Sequence, residues 1–234
     1  DTLTGLPNRT LLADRISQAM AKVAEQGGCF SLMFIDLDGF KPVNDAFGHH
    51  LGDRLLREVA LRLREQLRSQ DTLARIGGDE FVLLVRLSEP DDAPQVAARQ
   101  VSLLSKGFRV DEHDLQISAS VGIALYPGNG QTAEELLMNA DAAMYHAKGA
   151  GKNGYSFFDV SMNTNARKQL QLLQDLRQAV EQNQFRLHYQ PKFDATSGQP
   201  VGAEALLRWE HPQQGLLLPE HFIEIEKKTG LIIP

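Results

Sequence analysis

The sequence has one cysteine, no net positive charge and no long apolar run. Each of these shortages argues against a class of protein. The 234 residues include one cysteine, Cys29, so no internal disulfide can form and a reducing compartment is favoured. No apolar run approaches the ~18 residues of a membrane-spanning helix, and no signal peptide is evident. The formal net charge of −6 disfavours non-specific binding to nucleic acid, which needs a basic surface. We therefore expect a cytoplasmic protein, or the cytoplasmic part of a membrane-anchored one, with no nucleic-acid partner.

Helical and strand-like apolar patterns alternate along residues 1–160. The strand patterns cover residues 29–35, 72–76, 80–85, 155–158, and 108–126 with a turn at 112–114. The helical patterns begin after the N-cap candidate Asn8 and recur over residues 56–67, 93–106 and 136–147. This alternation, with hairpins included, predicts an α/β (α+β) domain with a mostly antiparallel central sheet flanked by helices.

The remaining residues predict a connecting helix and the start of a second domain. Residues 161–184 contain an amphipathic pattern whose apolar face comprises Leu170, Leu173, Leu176 and Val180. Two strand patterns follow, over residues 185–193 and 201–209. The predicted division is thus a domain at 1–160, a helix at 161–184 and part of another domain at 185–234. We expect the natural protein to extend in both directions, because a motif begins at the first residue and a pattern is cut at the last.

Acidic residues cluster where the first predicted strand ends and at a glycine hairpin. Asp36 and Asp38 follow the apolar strand, and Asp79 and Glu80 follow two glycines that can adopt positive φ. If the hairpin strands pair beside the first strand, Asp36 and Asp79 come within reach of one cation. Hard oxygen ligands suit Mg²⁺. The alternative is an acidic turn and an edge carboxylate that are both solvated.

Several separate motifs occur in the order typical of one family. They lie at residues 1–9 (DTLTGLPNR), 34–41 (FIDLDGFK), 44–45, 48–49, 52–53, 75–81 (RIGGDEF), 140–141, 144–145 and 147–153. Over residues 1–158 the chain resembles the GGDEF family of diguanylate cyclases. The resemblance implies a nucleotide-cyclase-like fold and an enzyme that joins two GTP molecules into cyclic di-GMP.

The resemblance also implies a role for the acidic residues. Asp36 and Asp79 resemble the family's ligands of Mg²⁺ or Mn²⁺, and the Leu37 carbonyl resembles a further ligand. Glu80 resembles a residue that helps to bind metal or to deprotonate the 3′-hydroxyl, the alternative being a salt bridge within the hairpin. Asp36, Asp79 and Glu80 are therefore the expected catalytic residues.

The same resemblance implies how GTP is held. Backbone amides around Gly39, Phe40 and Lys41, at a helix start, would bind phosphate oxygens. Lys148 and Lys152, one helical turn apart, would reach the terminal phosphates, unless they are a solvated lysine pair. Asn44 and Asp53 resemble the residues that bind guanine, which offers N–H donors that adenine lacks.

A short motif at residues 68–71 resembles the family's RxxD inhibitory site for cyclic di-GMP. Arg68 and Asp71 would bind the product dimer, with Arg99 as a further contact, because arginine forks suit phosphate and guanine edges. The alternative is that these residues merely end a helix. Since one domain binds one GTP, the implied mechanism requires a homodimer.

From residue 166 onward the chain resembles the start of an EAL phosphodiesterase domain, through residues 188–191, 204–209, 211–212, 219, 222–223 and 229–232. Glu204 would ligate metal, the alternative being an exposed strand carboxylate, and four residues would line a cyclic di-GMP pocket: Gln190, Leu206, Arg208 and Pro219. The family fold is a TIM-like barrel of about 250 residues, of which this segment is a truncated start. Phosphodiesterase activity is therefore expected only in a longer parent chain.

Three functions remain open on these grounds. The first is an active, Mg²⁺-dependent cyclase with product inhibition, within a bifunctional GGDEF–EAL protein that carries an upstream sensor or membrane domain. The second is a GTP-binding regulatory module that controls an adjacent EAL phosphodiesterase. The third is a product receptor that acts through Arg68 and Asp71.

Overall fold

The computed structural model describes residues 1–162, 172, 175, 176 and 178–219. The chain divides into two compact units, Asp1–Asn163 and Thr164–Pro234, which are described separately below. Leu170, Leu173 and the sequence pattern at residues 222–232 lie outside the described residues. Within the described part of the chain, no helix is long and apolar enough to cross a membrane.

The first unit is built on a five-stranded sheet. Its elements in chain order are α1 (Arg9–Gln26), β1 (Cys29–Asp38), α2 (Phe40–Phe47), α3 (His49–Arg64), β2 (Thr72–Gly77), β3 (Glu80–Leu87), a 3-10 turn (Pro90–Asp92), α4 (Ala93–Leu104), β4 (Phe108–Val110), β5 (His113–Leu115), β6 (Ser118–Tyr126), α5 (Ala133–Gly149) and β7 (Gly154–Phe157). The sheet order is β2-β3-β1-β6-β7. The pairs β2–β3, β3–β1 and β1–β6 are antiparallel, whereas β6–β7 is parallel. This confirms the α+β fold with a central, mostly antiparallel sheet and helices.

Strand β1 lies at the centre of the sheet and is buried along its whole length. On one face, Met33 and Ile35 join a core with residues of α3 and α4. On the other face, Leu32 and Phe34 join a core with residues of α1 and α5. Because side chains alternate along a strand, Asp36 continues the face that packs against α1 and α5.

The ends of the helices follow from local chemistry. Asn8 caps α1 by accepting a hydrogen bond from the Leu11 amide at 3.0 Å, as its position predicts. Thr132 caps α5 in the same way. Gly48, at φ +83, separates α2 from α3. The helix predicted over residues 56–67 begins earlier than expected, at His49, and ends at Arg64, so Leu67 lies beyond it.

Other sequence predictions also differ in detail from the structure, among them the following. The first strand continues three residues further, to Asp38, because pairing with β3 and β6 overrides the low strand propensity of aspartate. The turn predicted at 112–114 lies at 111–112, and His113 already belongs to β5. At the GGDEF hairpin only Gly78 adopts positive φ, at +44.

The described part of the second unit contains a three-stranded antiparallel sheet. Its strands are β8 (Phe185–Phe193), β9 (Pro200–His211) and β10 (Gly215–Leu217), in the order β10-β9-β8. Leu176 and Ala179, which are helical, form a small core with the fully buried Trp209. Trp209 also donates its indole N–H to the Gln184 side chain at 3.0 Å.

Candidate active site

The strand register brings two carboxylates face to face. Asp36 on β1 pairs directly with Glu80 on β3 and, on the other side, with Ser120 on β6. Asp36 is only 7% exposed, and Glu80 is half-buried. Asp79 lies in the two-residue turn that joins β2 to β3 and immediately precedes Glu80, where β3 begins. Like charges at directly opposed strand positions repel one another, so this arrangement needs a compensating cation.

A lysine from α5 supplies part of that compensation. Lys148 Nζ lies 2.7 Å from Asp36 Oδ1, with the two side chains 30% and 10% exposed. Burial raises the pKa of Asp36, Lys148 lowers it, and the charges of Asp79 and Asp38 raise it further. Asp36 and Asp79 are therefore close enough to interact electrostatically, as the sequence predicts, and Lys148 lies at their site.

A further carboxylate, on α5, belongs to the same cluster. The pKa of Glu80 is raised by burial and then by the charges of Asp141, Asp36 and Asp79. Burial likewise raises the pKa of Asp141, which Lys148 and Arg9 lower. Sequence reasoning included Asp141 in a motif but gave it no role. The sequence feature that could have revealed this role is the position of Asp141, between the buried residues Ala140 and Met144 and two helical turns before Lys148.

The donor set fits a hard divalent cation held partly by substrate. The acidic oxygens and a backbone carbonyl at Leu37 are the ligand types that Mg²⁺ or Mn²⁺ prefers. Among the described residues, no three or more histidine, cysteine or acidic side chains converge as a complete metal-binding group. Mg²⁺ is commonly bound by one or two carboxylates, with water and phosphate oxygens completing the shell. Asp36 and Asp79 can thus provide a partial set that a nucleotide would complete.

Two polar side chains predicted to bind guanine, Asn44 and Asp53, lie on the adjacent helices α2 and α3. Asn44 Oδ1 is buried and has no hydrogen-bond partner among the described residues. A Cβ atom added at Gly52 would lie 1.9 Å from Asn44 Oδ1 and 3.3 Å from the Phe40 ring. Gly52 therefore leaves room for the Asn44 side chain, and Asp53 follows it, half-buried, on α3. An orphaned acceptor beside a carboxylate suits a ligand that offers N–H donors.

Two of the residues expected to bind phosphate, Gly39 and Lys152, line one cavity. Gly39, at φ +85, leads into α2, whose N-terminus is capped by no described side chain. Gly39 and Lys152 both line a cavity of about 410 Å³, and Lys41 is exposed on α2. The prediction that Lys148 and Lys152 lie one turn apart on a helix is wrong, because α5 ends at Gly149 and Lys152 lies beyond it at φ +63.

Arg75 holds the hairpin in place, a role that sequence reasoning missed. Its guanidinium donates to the Gly78 carbonyl at 3.0 and 2.7 Å and pairs with Asp1 at 2.9 Å. Its backbone amide bonds to the Pro7 carbonyl at 3.0 Å. The available signal was its position two residues before the glycine pair.

The RxxD residues border the larger cavity, of about 680 Å³. Arg68 and Asp71 lie in a turn beyond Arg64, where α3 ends, so they do not end a helix. Asp71 Oδ2 accepts a bond from the Arg68 amide at 2.9 Å, while Asp71 Oδ1 is buried and unpaired within the described structure. Other cations line this cavity: Arg15, Lys22, Arg64 and Arg86. Arg99 is not part of its lining; it donates to the Gln66 carbonyl at 3.2 Å.

In the second unit, most of the predicted ligand-binding residues share one face of the sheet. Gln190 pairs directly with Glu204, and Leu206 and Arg208 follow Glu204 at alternate positions of β9. Pro219 lies outside the strands, after β10. Glu204 is about half exposed and pairs with Lys192 at 3.0 Å. The described structure thus has Glu204 as an exposed strand carboxylate.

The central strand of the sheet ends in two carboxylates, and the neighbouring glycine hairpin carries two further carboxylates. This arrangement is that of the GGDEF class of domains. Residues 1–154 match the family described as "Diguanylate cyclase, GGDEF domain", and residues 173–234 match the EAL domain. The chain therefore belongs to the GGDEF family, with a short EAL segment after the GGDEF domain.

Two relatives of known description are named for the metabolism of cyclic di-GMP. The chain is 59% identical over 233 residues to the bifunctional diguanylate cyclase/cyclic di-GMP phosphodiesterase MucR of Pseudomonas aeruginosa, covering 100% of this chain and 34% of MucR. It is 39% identical over 234 residues to the cyclic di-GMP phosphodiesterase PdeR of Escherichia coli, covering 100% of this chain and 35% of PdeR. The chain thus spans about a third of the length of these relatives.

Solved GGDEF domains share the fold of the first unit. The GGDEF domain of TpbB (YfiN) from Pseudomonas aeruginosa is 36% identical with a TM-score of 0.69, covering 71% of this chain and 98% of that one. The GGDEF domain of DgcB from Caulobacter crescentus, solved in complex with c-di-GMP, is 29% identical with a TM-score of 0.63, covering 67% and 91%.

Proposed function

We propose that this chain is a diguanylate cyclase that condenses two GTP molecules into cyclic di-GMP and two pyrophosphates. The observation that carries the proposal is the acidic cluster of Asp36, Asp79 and Glu80 with Lys148 beside it. This arrangement concentrates negative charge that a metal–triphosphate complex would relieve. Membership of the GGDEF family supports the same conclusion.

GTP binding divides between two neighbouring parts of the domain. Asn44 and Asp53 accept hydrogen bonds from the N1 and N2 positions of guanine. The Asn44 oxygen, which has no partner among the described residues, supports this role. The amides at Gly39, Phe40 and Lys41 hold phosphate oxygens at the start of α2. Lys152, and Lys148 once it leaves Asp36, neutralise the terminal phosphates.

In each bond-forming step the 3′-oxygen of one GTP attacks the α-phosphorus of the other. The bond from that phosphorus to the β-phosphate oxygen breaks, and pyrophosphate leaves. Mg²⁺ or Mn²⁺, held by Asp36, the Leu37 carbonyl and Asp79, would neutralise the triphosphate and polarise the α-phosphate. Glu80, whose pKa is raised by burial and neighbouring carboxylates, accepts the proton of the 3′-hydroxyl.

Turnover requires two domains, because each holds a single GTP. Two copies must face one another so that each 3′-hydroxyl reaches the partner α-phosphate, and this alignment contributes much of the rate. The homodimer is therefore part of the mechanism.

The cavity at Arg68 and Asp71 provides product control. Arg68 binds phosphate or a guanine edge, and the unpaired Asp71 Oδ1 accepts a base N–H. Arg99 lies on α4, away from the lining of this cavity, and contributes to the same product from another side. Arg68→Ala should abolish inhibition of initial rates by added cyclic di-GMP while leaving the uninhibited rate within about twofold.

In the parent protein, we propose an upstream sensor or membrane domain and a complete EAL barrel. Glu204 then ligates metal, and Gln190, Leu206, Arg208 and Pro219 contact cyclic di-GMP. Their common sheet face supports this assignment for the first three and for Glu204.

A second candidate function is a regulatory module that binds GTP without turnover and controls the adjacent EAL domain. The ion pair of Lys148 with Asp36 favours this second function, because it partly neutralises the proposed metal site when no metal is bound. The similarity to PdeR, described as a phosphodiesterase, also favours it.

One experiment separates the two functions. The protein is incubated with GTP and Mg²⁺, cyclic di-GMP and pyrophosphate are quantified by chromatography, and GTP binding is measured by calorimetry on the same preparation. A cyclase gives product in a 1:2 ratio with pyrophosphate, and Asp79→Ala abolishes it. GTP binding without product, even when dimerisation is enforced by a fused coiled coil, would establish the regulatory module instead.

A further inference from the structure

The Asp38 carboxylate, next to Gly39 of the proposed phosphate site, accepts three hydrogen bonds. Its Oδ1 accepts from Ser120 Oγ at 2.9 Å, and its Oδ2 accepts from Ser118 Oγ at 2.9 Å and from the Asn153 backbone amide at 3.1 Å. Asp38 is 8% exposed. One buried carboxylate therefore links β1, β6 and the segment that enters β7.

That segment has an unusual backbone conformation. Gly151, Lys152 and Asn153 follow one another at φ +126, +63 and +47, and the last two are not glycine. Left-handed residues in succession persist only where their surroundings hold them. Asn153 is held on both sides, by Asp38 at its amide and by Ser105 Oγ at its side chain, 2.6 Å away.

The segment of residues 151–153 includes Lys152, which lines the cavity of about 410 Å³ together with Gly39. Gly39 starts the amides that bind phosphate in the proposed function. A change in the backbone at Asn153 would alter the direction of the adjacent lysine relative to this cavity. The Asp38 carboxylate lines the same cavity, but its oxygens are already engaged by the two serines and the amide.

We propose that Asp38 is a positioning residue that fixes the left-handed turn at Lys152 and Asn153 and so directs Lys152 onto the terminal phosphates of GTP. This inference rests on the proposed function, because it assumes a triphosphate beside Gly39. Asp38 acts through the main chain, because its carboxylate oxygens are engaged by protein donors.

The test compares two nucleotides that differ in their terminal phosphates. Calorimetry with Mg²⁺ measures binding of GMP and of a GTP analogue whose α and β phosphates are joined by methylene, which cannot release pyrophosphate. Asp38→Ala should weaken binding of the analogue about tenfold and that of GMP less than about twofold, since hydrogen bonds to a charged group are strong. Asp38→Asn, which keeps an acceptor for the amide, should restore most of the affinity.

Two further variants isolate the route through Lys152. Ser120→Ala removes one bond to Asp38 but leaves the amide of Asn153 in place, so it is the matched control and should bind the analogue normally. In a Lys152→Ala background, Asp38→Ala should have less than about a twofold further effect. If Asp38→Ala does not fold, Ser105→Ala releases Asn153 from its other side and should selectively weaken the analogue several-fold.

The outcomes distinguish the inference from the function on which it rests. Equal loss of analogue and GMP affinity, or full additivity with Lys152→Ala, would show a general structural role and overturn the positioning role alone. An Asp38→Ala variant that binds the analogue with wild-type affinity would also overturn the positioning role. A wild-type protein that binds neither nucleotide would overturn the proposed GTP site.

Discussion

Asp36 and Glu80 face one another across two strands, and the charge of each is unfavourable to the other. Lys148 neutralises Asp36, whereas Glu80 has only the lowering influence of Arg9 against three neighbouring carboxylates. The protein without metal therefore holds electrostatic strain at the site where we propose that GTP and its metal bind.

This strain predicts a pH-dependent stability. The folded pKa of Glu80 lies above its ordinary value of 4.5, so the folded state binds more protons than the unfolded state as the pH rises past that value. Stability falls across this window. Glu80→Gln should therefore raise the melting temperature of the metal-free protein at neutral pH, and the gain should vanish at low pH.

Differential scanning calorimetry between roughly pH 4, near the ordinary pKa of a glutamate, and roughly pH 8 measures this effect. Glu25→Gln, at an exposed position of α1, is the matched control and should show no such trend. A Glu80→Gln variant that is less stable than wild type at neutral pH would contradict the prediction.

The guanine-binding role proposed for Asn44 depends on the absence of a side chain at Gly52. Gly52→Ala would place a Cβ 1.9 Å from Asn44 Oδ1, so the amide must move away from the base. We expect GMP affinity to fall about tenfold or more, because the lost contacts are hydrogen bonds in a buried site. Calorimetry measures the affinity, and circular dichroism checks the fold.

Gly149→Ala is the matched control for this change, since a Cβ at Gly149 meets nothing within 4 Å. It should bind GMP as the wild type does. Normal GMP binding by Gly52→Ala would remove Asn44 from the base-binding site.

Helix α5 packs close to the strands that carry Asp36 and Glu80, because β6 has a glycine where the helix crosses it. A Cβ added at Gly122 would lie 2.0 Å from both the Ala140 carbonyl oxygen and the Met144 amide nitrogen. The backbone of α5 therefore lies directly on β6. This close approach brings Asp141 and Lys148 toward the carboxylates of β1 and β3.

Gly122→Ala should consequently destabilise the first unit by about 3 kcal/mol or more, since overpacking against backbone has no flexible side chain to absorb it. Urea unfolding followed by circular dichroism measures the loss. Gly149→Ala again serves as the control. An unchanged unfolding midpoint for Gly122→Ala would show that α5 can shift without cost.

The sequence was sufficient to predict most helices and strands of the first unit, together with the acidic cluster. Apolar periodicity located β1, and the glycine pair located the hairpin that pairs with it. The sequence was insufficient where tertiary contacts determine the structure. One example is the extension of β1 through Asp38, which depends on pairing with two flanking strands. The place of Lys148 on Asp36 and the charge of Asp141 beside Glu80 depend on how α5 packs, which no local pattern specifies.

In the function that we propose, the first unit provides one set of residues for guanine and metal, whereas the product contains two guanosines. The proposed activity is therefore a property of two copies of the chain. The segment matching the EAL domain is described separately, and its predicted cyclic di-GMP face belongs to the function proposed for the longer parent protein.

The most direct test of this account is the initial rate of cyclic di-GMP formation from GTP and Mg²⁺, measured over a wide range of protein concentrations. At concentrations where the chain is mainly monomeric, the rate should rise with the square of protein concentration, and Asp79→Ala should give no product. A rate per protein that stays constant down to the monomeric range, or no cyclic di-GMP while GTP is bound to an enforced dimer, would contradict it.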